Sequence, residues 1–128
     1  MNKLTLTLIA CLFSLNVFSE TNNSEKPVQH IIVDNIASFS EAKKVFIEMT
    51  NELKAKTVLD ESELHQIHMI TYSLEKSLAF YAENLNGDAQ KLAEDIAVVV
   101  EDIHLASENN RQGSTREFLS NYFELTSD

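Results

Sequence analysis

Between Phe39 and Thr126 the chain contains no proline and only two glycines, Gly87 and Gly113, while its apolar residues recur three and four positions apart. That recurrence is the signature of amphipathic α-helices, and a stretch so poor in backbone breakers writes no interruption into any of them. The fold class predicted is therefore all-α. Phe39, Ala42, Phe46, Met49 and Leu53 fall on one face of a first helix, opened by a capping box of Ser38 and Glu41 and running to Lys56. Asp60 with Glu63 predicts the start of a second helix, with Leu59 and Leu64 as a hydrophobic staple. Its apolar row is Leu64, Ile67, Thr71, Leu74, Leu78, Tyr81 and Leu85, and Asn86 with Gly87 ends it. Asp88 is expected to cap a third helix with the row Leu92, Ile96, Val99, Ile103 and Ala106. The run "IAVVV" within it would suit a strand, but its flanks keep the helical period. Ser114 and Glu117 form the capping box of a fourth helix, lined by Phe118, Tyr122 and Leu125. Such stripes, joined by short links, can be buried only against one another. The expected architecture is an antiparallel up-down bundle of three long helices plus a short C-terminal helix.

The segment ahead of this domain has a different character. Lys3 precedes the apolar run "LTLTLIACLFSLNVF", after which the chain turns abruptly polar at "SETNNSEKP". That is the layout of a secretory signal peptide, with cleavage expected after Ser19. The run is shorter than the roughly 20 apolar residues that span a bilayer, so no stable membrane insertion is expected once the signal is removed. A rival reading takes "LIAC", Leu8 to Cys11, as a bacterial lipoprotein box with lipidation at Cys11, but more apolar residues follow where a polar tether belongs. The predicted organisation is a signal peptide over 1–19, a disordered leader over 20–29, and a helical domain over 30–128 that begins with the extended strap "HIIVDNIASF". The expected location is the periplasm.

Cys11 is the only cysteine, so the processed chain can make no disulfide, thiolate metal site or covalent haem link. All 20 acidic residues follow Ser19, against nine of the 10 basic ones, which gives the processed chain a formal charge of −11. Such a surface repels nucleic acids and anionic membranes and suits a soluble protein or one that meets cations.

Chemistry concentrates in "ELHQIHMITYSLE", residues 63–75, which sets His65 and His68 three apart. At 100° per residue, His68 and Glu75 lie at the edge of the apolar stripe with Thr71 between them, whereas His65 and Tyr72 point further round towards solvent or a helix flank. On the third helix, His104 lies beside the apolar row with Glu101 and Glu108 one turn either way. If the two helices turn back at Asn86 to Asp88, His68 lies about 18 residues before the turn and His104 about 17 after it, which puts them at nearly the same height. Imidazole nitrogens and carboxylates on facing helices are standard ligands for divalent transition metals. Glu-x-x-His, the recurring pair of di-iron bundles, occurs only at Glu101 and His104. The same residues also admit a metal-free reading, with His68 and His104 partly buried and satisfied by a carboxylate or by Tyr72. Haem between Met49 and His104 is disfavoured, because Met49 fits the core and the fourth helix has no histidine. No nucleophile elbow, phosphate loop or assembled catalytic triad is present, so the chain is not expected to be an enzyme.

The segments "HQIHMITYSLEKSLA", "VEDIHLASE" and "QHIIVDNI" resemble a family of small exported proteobacterial proteins, domain of unknown function 6746. The shared pattern falls on His30, on Ile67, His68, Thr71, Tyr72, Leu74 and Glu75, and on His104, Ala106, Ser107 and Glu108. Gln29 stands where the family has an aspartate, and "IV" replaces a lysine-glycine after His30. The resemblance implies a helical exported protein and no particular activity. Together these readings lead to a periplasmic helical protein with a divalent-metal site at His68 and His104, supported by Glu75, Glu108 or His30. Zinc, copper and nickel are all chemically admissible. The alternative is a metal-free interaction or stress-related protein that uses an exposed helix face.

Overall fold

The computed structural model describes residues 35–127. The expected signal peptide and leader, Cys11, and His30 with most of the expected strap lie outside the described residues. Four helices follow one another: α1 (Phe39–Ala55), α2 (Glu61–Asn84), α3 (Gly87–Glu108) and α4 (Gln112–Thr126). There is no strand among the described residues, so the all-α bundle expected from the pattern is the architecture found. α2 and α3 form the central hairpin, with α1 against α2 and α4 against α3.

The helix starts show how local chemistry sets the frame. Ser38 accepts a hydrogen bond from Glu41 N at 3.2 Å, and Glu41 Oε2 reaches back to Ala37 N at 2.8 Å. Asp60 does the same for Glu63 N at 2.8 Å, while Glu63 Oε2 accepts from both Val58 N and Leu59 N. Each cap side chain thus makes its half of a capping box, while the glutamate bonds one residue further out, to the N–H of Ala37 and of Leu59 instead of the cap's own. Leu59 is driven into the core with a left-handed φ of 55° and only 2% exposure, beside Leu64. The other two caps differ from expectation. α3 starts at Gly87, with φ 63°, after Asn86, so Asp88 lies in the first turn and is not its cap. There its charge still complements the helix dipole. α4 starts at Gln112, not after Ser114, because Asn110 with φ 54° reverses the chain and lets the next helix begin at once.

The largest departure from the expected pattern is in α3. Leu92 is 43% exposed and Val99 only half-buried, while Ala93, Ile96, Val100, Ile103, Ala106 and Ser107 face inward. The buried stripe is turned about 40° from the expected row, at 100° per residue, and the turn is towards His104. Ala93, Ala106 and Ser107 put small side chains on the buried face of α3. In α2 the burial is wider than a single row: Ile70, Ser73 and Ser77 are also covered, and Ser77 Oγ donates to Ala42 O of α1 at 2.7 Å. A central helix packed on two sides needs that second face.

α4 is tied to α1 by Tyr122, fully buried, whose hydroxyl lies 2.6 Å from Thr50 Oγ1. Burial pushes the Tyr122 phenol up from 10.0 to about 12, opposed by the Thr50 hydrogen bond. A phenol whose folded value is raised favours the folded state while it keeps its proton. That contribution is complete below about pH 10 and is lost as pH rises towards 12. Alkaline unfolding should therefore show a fall of roughly 2–3 kcal/mol across this window. Tyr122→Phe is expected to remove that pH-dependent loss while costing about 1–2 kcal/mol at neutral pH, because Thr50 is left without its partner. Denaturant titrations at several pH values check both; a variant that keeps the wild-type alkaline slope would contradict the assignment.

Candidate metal centre

The rotation of α3 brings His104 opposite His68, as their equal heights along the hairpin require. The rings meet edge to face with centroids 4.6 Å apart, and the His104 side chain is only 14% exposed. The linking residue is Thr71, one turn from His68 and fully buried. Its hydroxyl donates to His68 O at 2.6 Å, which turns its remaining lone pairs towards His104 Nδ1, 3.0 Å away. A hydroxyl that has already given its hydrogen to a carbonyl can only accept, so Nδ1 of His104 carries the hydrogen in a neutral ring. The lone pair is then on Nε2. This is the arrangement by which a partner behind an imidazole orients it as a metal ligand.

Nε2 faces the second part of the site, where Glu108 Oε2 lies 3.9 Å away. One donor atom each from His68, His104 and Glu108 can be chosen so that all three lie within 4.8 Å of one another. On the Nδ1 side stands Glu75, with Oε1 3.1 Å from His104 Nδ1, buried, and without a partner in hydrogen-bond geometry. Glu101 completes a second group with Glu75 and His104, again with donor atoms within 4.8 Å. Burial raises the Glu75 pKa; the His104 charge opposes this, and the neighbouring Glu101 carboxylate adds to it.

The His68 ring hydrogen-bonds through Nε2 to the Tyr72 hydroxyl at 3.1 Å. Its pKa is lowered, first by burial and then by the adjacent His104, against the pull of Glu108 in the other direction. A lowered value keeps the imidazole neutral near pH 7, the form that binds metals. His65 is exposed, 6.4 Å from the His68 ring centre to centre, and contributes no atom to either carboxylate group. Met49 is buried in the core.

Of the residues singled out from sequence, His68, His104, Glu75 and Glu108 come together, and His30 lies outside the described residues. Two more residues join them. Tyr72 is 44% exposed, on the solvent side of its helix as its position predicts, and its ring also packs against both imidazoles, at 5.1 Å from His68 and 5.0 Å from His104. Its spacing of four from His68, one helical turn, is the signal that marks it. Glu101, three before His104, joins from the flank on the same logic.

Among the described residues no helix is long and apolar enough to cross a membrane. A family model described as a family of unknown function, DUF6746, matches residues 1–128. No curated protein and no solved structure matches the chain.

Proposed function

We propose that the protein, which belongs to the family of unknown function DUF6746, is an exported periplasmic binding protein that holds one divalent transition metal between α2 and α3. His68 and His104 supply nitrogen donors and Glu108 a carboxylate. Glu75 and Thr71 stand behind His104 and fix its orientation. The observation that carries this reading is the Thr71 hydroxyl, which occupies the Nδ1 side of His104 and turns the Nε2 lone pair to the side where Glu108 stands. Two imidazoles and a carboxylate suit zinc, copper(II) and nickel, and the absence of any cysteine after Cys11 leaves soft thiolate-bound ions without ligands. Export rests on the signal-like segment at residues 1–19. The acidic surface fits a protein that meets cations.

Thr71→Val tests the orienting role, since it keeps the shape and removes the hydroxyl. Metal affinity is expected to fall about 10- to 100-fold, the scale on which outer partners of a ligand act. Isothermal titration with zinc measures it, and an unchanged affinity would count against the tautomer assignment. A second reading has its own support. The Tyr72 and Thr71 contacts give each imidazole a hydrogen-bond partner without any ion, which suits a metal-free interaction protein. Under that reading zinc produces no saturable heat in the wild type.

A further inference from the structure

We propose that Tyr72 is a fourth ligand of this site, and that the ion the complete set takes is copper(II). The inference rests on the metal-binding reading above and narrows it to one ion.

The argument begins with distances between donors. Metal–nitrogen and metal–oxygen bonds of roughly 2.0–2.1 Å at angles between square and tetrahedral place neighbouring donor atoms about 2.8–3.4 Å apart. The Tyr72 oxygen and His68 Nε2 are separated by 3.1 Å. They thus stand as adjacent corners around one ion would. The helices repeat this motif: His68 and Tyr72 are four apart on α2, and His104 and Glu108 are four apart on α3. Each pair projects from one helix face, one turn apart, as a two-point clamp; the α2 pair already stands at that donor separation, whereas Glu108 Oε2, 3.9 Å from His104 Nε2, has to close by about half an ångström to take its corner. The clamps face each other, with the Tyr72 ring 5.0 Å from the His104 ring at an interplanar angle of 87°. Tyr72 and Glu108 are the more exposed members, at 44% overall and 51% for the side chain, so an ion can enter from solvent and meet the oxygen donors first.

Two imidazole nitrogens, a carboxylate and a phenol oxygen form an N2O2 set. Tetragonal N,O coordination is the preference of copper(II) and nickel(II), and copper(II) is the more tightly bound of the two at a given site of this kind. A phenol oxygen strengthens that choice: as the copper–oxygen bond forms, the phenol releases its proton to solvent and binds as phenolate. The ion's oxidation state does not change. The hydrogen bond between Tyr72 and His68 holds both donors in place beforehand and is exchanged for two bonds to the metal.

The test is an optical and calorimetric titration of the processed protein with copper(II) alone, in wild type, Tyr72→Phe and His104→Ala. Wild type is expected to take up one equivalent and develop a visible phenolate-to-copper(II) charge-transfer band. Tyr72→Phe is expected to lose that band and bind at least about tenfold more weakly, while retaining an imidazole-copper spectrum. His104→Ala is expected to lose both the band and stoichiometric binding. Stoichiometric copper(II) with no phenolate band, or with affinity unchanged in Tyr72→Phe, overturns the role of Tyr72 and leaves the metal site intact. Binding of zinc without stoichiometric copper(II) overturns the ion assigned. Neither metal binding at one equivalent overturns the site itself.

Discussion

Replacing His104 by alanine is expected to lower metal affinity by more than about 100-fold, because residues that only orient a metal's ligands are worth 10- to 100-fold and the proposed site makes this residue a ligand. His104 is the residue on which both groups of donors converge: it shares one with Glu75, on its Nδ1 side, and Glu101, and the other with His68 and Glu108, the latter on its Nε2 side. No neighbour can substitute for it, since His65 is exposed on the outer face of α2 and reaches neither group. The fold should tolerate the change. His104 flanks the apolar stripe without filling it, and Thr71 keeps its bond to His68 O, so a stability loss of about 1 kcal/mol is expected. Calorimetric titration gives the affinity, and denaturant unfolding shows that the variant is folded. Wild-type affinity in a folded His104→Ala would remove the centre from this helix pair.

The largest effect on stability is expected at Leu59, in the link between α1 and α2. This side chain is buried beside Leu64 although its backbone is held at φ 55°, a region costly for any residue with a Cβ. Glu63 secures it by accepting from Leu59 N at 2.7 Å. Leu59→Ala removes the buried side chain but keeps the backbone strain, and should cost about 2–5 kcal/mol. Leu59→Gly loses one carbon more, yet releases about 1–2 kcal/mol of left-handed strain. It should therefore be no more destabilising than alanine, the reverse of the usual order for these two residues within regular structure. Paired denaturation curves decide it; a glycine variant clearly weaker than alanine would show that the leucine conformation carries no strain.

The difference between Leu59 and His104 also marks what could be read from the chain alone. Helices, two of the caps and the staple were legible because they depend on residues within five positions of each other: Ser38 with Glu41, Asp60 with Glu63, Leu59 with Leu64. The equal height of His68 and His104 was legible too, as it needs only the rise per residue and the position of the turn. The rotation of α3 was not. Leu92 competes with Ala93 for the inner face, and Val99 with Val100; hydrophobicity alone prefers the leucine in the first pair and has no preference in the second. Packing against α2 decides both, and that is a property of two helices together. The contact of Tyr72 with His104 is hidden from the sequence for a related reason. Tyr72 sits on the outer side of its own helix stripe, and only the arrival of His104 from α3 gives its ring an apolar and polar neighbour at once. The α4 start shows the same limit at loop scale: Ser114 and Glu117 satisfy the cap pattern, but the left-handed Asn110 begins the helix earlier.

The central claim is that one chain holds one metal ion between His68 and His104. It is tested most directly by native mass spectrometry and elemental analysis of the protein recovered from its own compartment and again after exposure to copper(II) and zinc. One metal ion per processed chain is the predicted result. A chain that remains substoichiometric under both conditions would contradict it.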